Sequence, residues 1–420
     1  MTKREPAQRK PALGFIFFTL FLDILGIGLI IPILPKLVTQ FVGGTASDAS
    51  STVGWLGALY AMMQFVFSPI LGSLSDKYGR RAVILTSLLG SGLDYLLLAF
   101  APTLPWFFIG RIVSGITGAS LTAASAYIAD VSPPEKRAQN FGLIGAAFGL
   151  GFIAGPALGG LLGSVGLRIP FLVAAGLTLI NWLYGFFILP ESLSLENRRE
   201  FSWSRANPIG ALNALARYPV VLSLTASILF TNLAQFILQS TWVLYTDFRY
   251  GWNVTEVGIS LALVGVTSAI VQGGLVRLIV PRLGERRSVI IGISVSMVAF
   301  ALYGLATQGW MLYAILIGAS IGGIGGPALQ GLISQGVPAN EQGAVQGSLS
   351  SLGSLTGIIA PLLGTYLFGF FTSPTAPVQI PGAAFFAAAI FTGIGLMLAI
   401  RTFAKYPAIT PNVAPGMTNQ

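Results

Sequence analysis

The stretch Gly72-Ser-Leu-Ser-Asp76-Lys-Tyr-Gly79-Arg80-Arg81 is a charged segment between two long apolar runs. Apolar runs of about 18 residues or more are typical of helices that cross a membrane, so the stretch is predicted to be a short loop between two spanning helices. A damaged copy, Arg282-Leu-Gly284-Glu-Arg286-Arg287, lies 205 residues further along, with Pro281 in the place of Asp76. A charged loop repeated at half the chain length predicts a duplicated membrane protein with two non-equivalent halves.

The hydropathy pattern contains twelve apolar segments, joined by short connections except at 191–217. It predicts an all-α membrane protein with twelve transmembrane helices in two six-helix bundles. The segments lie at about 12–36, 53–74, 83–101, 105–129, 139–164, 169–190, 218–246, 256–280, 288–305, 309–335, 344–371 and 382–402. The predicted organisation is an N-terminal bundle (1–190), a cytoplasmic linker (191–217), a C-terminal bundle (218–405) and a disordered tail (406–420).

Composition excludes several function classes. Of the 420 residues, 54% are hydrophobic and 9% are charged, compared with about 25% charged residues in soluble domains. The chain has no cysteine and no histidine, so it cannot build a disulfide, a thiolate or imidazole metal site, or a Ser-His-Asp triad. We therefore expect a protein that is not an enzyme, with no catalytic or metal-binding residues and no cofactor.

The distribution of the net charge of +9 indicates membrane topology rather than nucleic-acid binding. Of the 23 Lys and Arg residues, 19 fall in segments predicted to lie on one side: the N-terminus, alternate short loops, the linker and the C-terminus. This distribution is the positive-inside bias. It predicts an integral protein in contact with the lipid bilayer, with both termini in the cytoplasm and no nucleic-acid partner. We expect a monomer in the plasma (inner) membrane.

Three charged residues lie inside predicted helices of the N-terminal half: Asp23, Asp94 and Arg111. A charge at the centre of a spanning helix costs about 2.5–3.5 kcal/mol on insertion scales, so such residues usually face a cavity and have a function. Burial favours the neutral form of a carboxyl group, whereas a nearby Arg favours the charged form. We predict that Asp23 and Asp94 couple transport to protons, with Arg111 as the counter-charge. A purely structural ion pair is the alternative.

The polar residues predicted inside the C-terminal helices are amides rather than charges. Duplicated transporters place their substrate site between the halves, near the middle of the membrane. The residues predicted to line such a cavity here are Gln64, Phe65, Gln235, Gln239, Gln272 and Gln330. Alternatively, the amides form hydrogen bonds between neighbouring helices, and Phe65 contacts lipid or packs in the core.

The loop 72–81 resembles the fingerprint of the major facilitator superfamily, Gly-x-Leu-(Ala/Ser)-Asp-(Arg/Lys)-x-Gly-Arg-(Arg/Lys). Gly72 would allow close helix approach and Gly79 a tight turn. The resemblance implies a gate latch that holds the outward-facing state, built from Gly72, Asp76, Gly79, Arg80, Arg81, Asp130 and Arg137. Since Pro281 replaces the carboxylate in the second copy, we expect the latch to be asymmetric.

The fifth segment reads Gly151-Phe-Ile-Ala-Gly155-Pro156-Ala-Leu-Gly159-Gly160. Its overlapping G-x-x-x-G spacings place Gly151, Gly155 and Gly159 on one helix face, where another helix can pack closely, and Pro156 can bend the helix. The string resembles the motif of drug/proton antiporters within the superfamily. The first segment, with Asp23 in Leu22-Asp23-Ile-Leu-Gly26, resembles the first helix of the tetracycline/proton antiporters.

The resemblance to tetracycline antiporters covers essentially the whole chain and departs from it in two places. Tetracycline exporters carry a histidine in the eighth helix, where this chain has Ser268 or a neighbour, and an acidic residue in the ninth, where Ser296 falls. The resemblance thus implies an exporter of an amphipathic, drug-like compound coupled to protons, and leaves open whether tetracycline is carried.

Two other functions remain open from the sequence. The first is a facilitator or proton-coupled carrier of a metabolite, sugar or lipid, in which Asp23 would be a substrate ligand. The second is a membrane receptor that binds a ligand without transporting it.

Overall fold

The computed structural model describes residues 13–118, 120–133, 137–201, 218–337 and 342–407. At Ser120, 137–139, 141–142, 342–344 and 346–347 it describes the backbone alone. The N-terminal residues 1–12, most of the predicted linker (202–217) and most of the predicted tail (408–420) lie outside the described residues.

Twelve helices in the described chain are long and apolar enough to cross a membrane. The predicted all-α fold with twelve spanning helices is therefore confirmed. The helices are α1 (Leu13–Val42), α2 (Ala46–Tyr78), α3 (Arg80–Phe100), α4 (Leu104–Val131), α5 (Arg137–Val165), α6 (Ile169–Ile188), α7 (Pro219–Tyr250), α8 (Val254–Leu283), α9 (Glu285–Leu305), α10 (Gly309–Gln335), α11 (Gln342–Thr372) and α12 (Ala383–Lys405).

Most helices extend beyond the apolar segments that predicted them, because their ends are polar. The start of α2 is the largest difference: the apolar segment begins at about 53, whereas the helix begins at Ala46. The carboxylate of Asp48 accepts hydrogen bonds from the backbone N–H and the hydroxyl of Thr45 at the helix N-terminus, at 2.7 and 2.9 Å. Such capping stabilises a first turn that hydropathy does not detect.

Several helices are interrupted within the membrane. The α-helical geometry of α1 breaks at residues 31–33, next to Pro32, that of α8 passes through a π-helical turn at Val271–Leu275, and that of α10 through a 3₁₀ turn at Ile321–Ile324. Helix α4 consists of Leu104–Thr117 and Ser120–Val131. Gly118 in the α4 break and Gly323 in the α10 turn are 205 residues apart, so the two halves share this interruption.

The ends of the helices form two sides of the bundle. We call the side on which α2, α4, α6, α8 and α10 end, at Tyr78, Val131, Ile188, Leu283 and Gln335, the basic side. The connections at 43–45, 101–103, 166–168, 251–253, 306–308 and 373–382 lie on the opposite side.

The two halves contact each other mainly through α2 with α11 and α5 with α8, and the closest contacts lie towards the opposite side. A Cβ atom added at Gly54 of α2 would lie 2.1 Å from Thr365 Oγ1 of α11, and one at Gly160 of α5 would lie 2.7 Å from the Val254 carbonyl oxygen of α8. Nearer the basic side, a Cβ at Gly72 or Gly353 would meet no described atom within 4 Å. The described halves are thus closed on the opposite side and separated towards the basic side.

An ion pair reinforces the closed side. Lys36 Nζ at the end of α1 donates to Asp247 Oδ1 of α7 at 2.9 Å and to the Trp252 carbonyl oxygen at 2.5 Å. Because α1 and α7 belong to different halves, this pair connects them directly. Nothing in the sequence pattern alone assigns a partner to Lys36.

Candidate functional site

A cavity of about 440 Å³ lies between the two halves. The N-terminal half contributes Tyr60, Gln64, Arg111 and Ser114 to its lining, and the C-terminal half contributes Gln235, Phe236, Gln239 and Trp242. Most of the remaining lining residues are apolar. Polar groups on an apolar wall are the usual composition of a small-molecule site. The structure thus brings three of the six predicted lining residues together: Gln64, Gln235 and Gln239.

The other three predicted lining residues, Phe65, Gln272 and Gln330, do not line this cavity in the arrangement described. Phe65 follows Gln64 directly, and a step of one residue turns a side chain by about 100° around a helix. Gln272 is exposed in the π-helical turn of α8. Polarity within a helix therefore did not reveal which face carries the residue.

Two of the three intramembrane charges meet through a serine. Asp94 on α3 is 2% exposed, and its Oδ2 accepts a hydrogen bond from the Ser114 hydroxyl on α4. Arg111 NH2 donates to the same hydroxyl at 3.3 Å. Asp94 Oδ1 and Arg111 Nε have no hydrogen-bond partner among the described residues. The pair is therefore linked through Ser114, which sequence reasoning missed although it lies one helical turn after Arg111.

Two tyrosines surround this pair, and they too were missed. The Arg111 guanidinium lies 5.7 Å from the centre of the Tyr60 ring, and Gln64 Nε2 donates to the Tyr60 hydroxyl at 2.8 Å. Asp23 is half-buried on α1. The described contacts therefore place two of the three predicted proton-coupling residues, Asp94 and Arg111, in one cluster, and Tyr60, Tyr95, Arg111 and Ser114 line the cavity beside it.

A second charged cluster lies on the basic side, around the buried side chain of Arg80. Its guanidinium forms ion pairs with Asp76 at 2.5 Å and with Asp130 at 3.2 Å, and it donates to Ser75 Oγ at 2.6 Å. The Ser192 hydroxyl donates to the same Asp130 oxygen at 3.0 Å. The structure therefore places three of the predicted latch residues in direct contact.

Glu191, which the sequence assigned to the linker, also contacts Arg80. Its Oε1 accepts a hydrogen bond from the backbone N–H of Arg80 at 2.8 Å, at the N-terminus of α3, where the helix dipole favours a carboxylate. Gly79 has a φ of +100°, and a Cβ there would lie 2.1 Å from Glu191 Oε2. The positive φ therefore favours glycine at position 79, and the absence of a side chain there leaves room for the Glu191 carboxylate.

The remaining latch residues differ in their placement. A Cβ at Gly72 would meet no described atom within 4 Å, so the predicted close approach is absent in this arrangement, in which the halves are separated on the basic side. Arg81 lies away from the carboxylates: its NH2 donates to the Phe186 carbonyl oxygen at 2.6 Å. The side chain of Arg137 is outside the described part of the chain.

The second copy of the loop keeps one of these contacts and lacks the ion-pair centre. Arg286, like Arg81, reaches the end of the last helix of its half, where it donates to the Tyr406 carbonyl oxygen at 2.7 Å. Position 285, equivalent to Arg80, is a glutamate, which accepts a hydrogen bond from Gln335 at 3.0 Å. The two copies are therefore chemically different, as the replacement of the carboxylate by Pro281 predicts.

The glycine face of α5 packs on α1. A Cβ at Gly151 would lie 2.8 Å from Ile24 Cγ2, one at Gly155 would lie 2.7 Å from Gly28 Cα, and one at Gly159 would lie 2.3 Å from the Leu29 carbonyl oxygen. A second face packs on α8, where a Cβ at Gly258 would lie 2.6 Å from the Pro156 carbonyl oxygen. The motif therefore holds α5 against both its own half and the other one.

We expect Gly159→Ala to destabilise the protein by about 1–3 kcal/mol, the usual effect of overpacking, because backbone rather than a flexible side chain opposes the new methyl group. The matched control is Gly149→Ala in the same helix, where an added Cβ meets nothing within 4 Å. Thermal unfolding in detergent measures both changes, and equal melting temperatures for the two variants would contradict the packing role.

The sequence matches the model of the Major Facilitator Superfamily over residues 16–361. The class C tetracycline resistance protein of Escherichia coli is 42% identical over 357 residues, which cover 85% of this chain and 89% of that protein. The class D tetracycline resistance protein of Salmonella ordonez is 40% identical over 405 residues, 96% and 98% of the two chains. Multidrug resistance protein 2 of Bacillus subtilis (strain 168) is 29% identical over 373 residues, 87% and 91%.

Solved structures show the same fold. The human organic anion transporter MFSD10 (TETRAN) matches with a TM-score of 0.70 and 25% identity, covering 94% of this chain and 100% of that one. An inward-facing, unoccupied bacterial homologue of the human lysosomal transporter Spinster matches with a TM-score of 0.74 and 15% identity over 96% and 98%. The chain therefore belongs to the Major Facilitator Superfamily and, within it, to the family of the tetracycline resistance proteins.

Proposed function

We propose that this protein is a proton-coupled antiporter that exports an amphipathic drug of the tetracycline type. The observation that carries the proposal is the Asp94–Ser114–Arg111 cluster, because Arg111 and Ser114 also line the central cavity. A proton exchanged at Asp94 can therefore change the hydrogen bonds at the wall that contacts the substrate. The names of the relatives at about 40% identity support the substrate class.

The basic side faces the cytoplasm in this proposal, because a bias of Lys and Arg towards one side marks the cytoplasmic face. The arrangement described above is then inward-open, with the cavity accessible to a drug in the cytoplasm. Both termini and the segment 191–217 would be cytoplasmic, and the bundles 1–190 and 218–405 would rock as units in a monomer. The Arg80 cluster would tighten when the halves close on the basic side.

Proton binding and drug binding favour different facing states of the protein. Protonation of Asp94 from the outside removes the charge that Ser114 and Arg111 stabilise, and Asp23 adds a second carboxylate to the same field. Release of the proton restores the charged cluster on the inward-open side. A ligand shifts such an equilibrium only through its different affinity for the two states, so drug and proton should occupy the cavity alternately.

Reconstituted vesicles test this function directly. Full-length protein in liposomes loaded with acidic buffer and diluted into alkaline buffer should accumulate radiolabelled tetracycline and release protons. An ionophore that collapses the proton gradient should abolish the accumulation. Tetracycline transport that is unchanged without a gradient would support the facilitator instead. Specific binding without transport would support the receptor.

The Lys36–Asp247 pair provides a prediction about the closed side. We expect Asp247→Asn to shift the protein about fivefold towards the outward-open state, because a partly exposed ion pair contributes up to about 1 kcal/mol. Since the chain has no cysteine, Ser47→Cys, buried against Gly369, reports this opening through its rate of labelling by an impermeant maleimide.

The matched control for this labelling experiment is Glu256→Gln. Glu256 lies on the same side, and its carboxylate accepts a hydrogen bond from the backbone N–H of Asn253 at its own helix start, at 2.8 Å. Equal labelling rates in the Asp247 and Glu256 variants would show that the pair does not hold the halves together.

A further inference from the structure

A second cavity, of about 320 Å³, lies within the C-terminal half. It is lined by side chains of α7, α8, α9, α10 and α12, including Asn232, Thr267, Ser268, Ser296 and Ser320. No charged side chain is among its lining residues in the described part of the chain. We call it the side pocket.

The side pocket occupies the position that the proton cluster occupies in the N-terminal half. At the repeat shift of 205 residues, Asp94 corresponds to Ala299, Arg111 to Leu316, and Ser114 to Ala319. All three replacements line the side pocket. The duplicated site has thus lost its charges, and the smaller side chains at 299 and 319 leave space in the packing.

The side pocket is polar rather than apolar. The side chains of Asn232 and Ser268 make no hydrogen bond within the described part of the chain. Four glycines in and beside the interrupted turn of α10, at positions 322, 323, 325 and 326, also line the pocket and bring backbone groups to its wall. Polar groups without partners in a membrane bundle are costly unless a ligand or water satisfies them.

The side pocket adjoins the central cavity. Gln235, Leu238, Val264 and Leu316 line both spaces, and the exposed amide of Gln235 lies at their junction. A molecule bound in the central cavity can therefore extend a polar group past Gln235 towards Asn232 and Ser268.

We propose that the side pocket is a substrate subsite that binds an uncharged hydrogen-bonding part of the drug, such as a hydroxyl, carbonyl or carboxamide edge. This inference rests on the proposed function and adds a determinant of substrate choice to it. The N-terminal half would handle the proton and the C-terminal half would recognise the neutral polar edge. Ligands that carry a fixed charge at that edge would be rejected, because no described residue of the pocket can neutralise it.

Two variants of the full-length protein test the subsite, with tetracycline as the probe. Asn232→Leu removes the amide at nearly constant volume, and Ser268→Leu fills the pocket. Each should raise the Kd for radiolabelled tetracycline, measured without a gradient, by about tenfold, the effect of one or two lost hydrogen bonds. The control Thr225→Val removes a buried hydroxyl of α7 that has no described partner and lies outside both cavities, and it should leave Kd unchanged.

Melting temperatures distinguish a loss of drug recognition from a change in the packing of the side pocket. A variant with wild-type Kd and a raised melting temperature would show that the pocket is a packing void or holds only water, and would overturn the subsite. If the two leucine variants unfold, the smaller Ser268→Ala should still raise Kd relative to Thr225→Val, and an unchanged value would also overturn it. Wild-type protein that neither binds nor transports tetracycline would instead contradict the proposed function, and the subsite with it.

Discussion

Asp94→Asn should abolish proton-driven accumulation of tetracycline in proteoliposomes, with a fall in rate of about 100-fold, the lower end of the range for loss of a positioned acid–base group. The amide keeps the size of the side chain and can still accept the hydrogen bond from Ser114, but it cannot take up or release a proton. Binding of tetracycline in the absence of a gradient should therefore persist. The measurement is uptake of radiolabelled drug together with the pH change inside the vesicles.

The matched control is Asp48→Asn, the same substitution at an exposed carboxylate that accepts hydrogen bonds from Thr45 at the start of α2. The amide oxygen of asparagine can accept the same hydrogen bonds from Thr45 within the capping box, so transport by this variant should equal that of the wild type. Full proton-driven transport by Asp94→Asn would remove Asp94 from the coupling mechanism and leave Asp23 as the candidate.

Arg80→Gln should lower the free energy of unfolding by about 3 kcal/mol and severely reduce transport. Arg80 is 8% exposed and is shared by the carboxylates of Asp76 and Asp130. Removal of one partner of a buried ion pair costs about 3–5 kcal/mol, and we take the lower end because Asp76 is partly exposed to solvent. Thermal unfolding in detergent and drug uptake give the two readouts.

Lys77→Gln provides the control for this substitution, since it removes one positive charge from the last turn of α2, three residues before Arg80. Lys77 is exposed, and its described contact is with the ring of Tyr78, 5.4 Å away. We expect its melting temperature to stay close to that of the wild type. If Arg80→Gln and Lys77→Gln have equal melting temperatures, the Arg80 ion pairs do not stabilise the fold, and Arg80 contributes no more than its positive charge.

Sequence was sufficient to predict the architecture because each spanning helix requires a long apolar run, and a duplicated loop marks the two halves. It placed the ends of helices less well, since the start of α2 depends on a cap at Thr45 and Asp48 rather than on hydropathy. Breaks such as Ile321–Ile324 were not predicted either, because the glycines around them are equally compatible with close helix packing.

Sequence identified charged site residues better than neutral ones. A charge in the membrane is so costly that Asp94 and Arg111 stand out individually, whereas an amide such as Gln272 is tolerated on several helix faces. The contact partners of these charged residues were the hardest to predict from the sequence. Ser114, Glu191 and Asp247 belong to other helices or connections, and they reach Asp94, Arg80 and Lys36 only in the folded chain.

The two glycine faces of α5 have a mechanical consequence. Against α1 the contact lies within one half, where α1 also packs on α6 and is held in the N-terminal bundle by both neighbours. Against α8 the contact lies between the halves, where Gly160 and Gly258 leave backbone on backbone with no protruding side chain. Because side chains interlock as ridges in grooves, a stretch without them can slide with little resistance. We therefore expect the two halves to rotate about the α5–α8 crossing, while α1 and α5 keep their positions relative to each other.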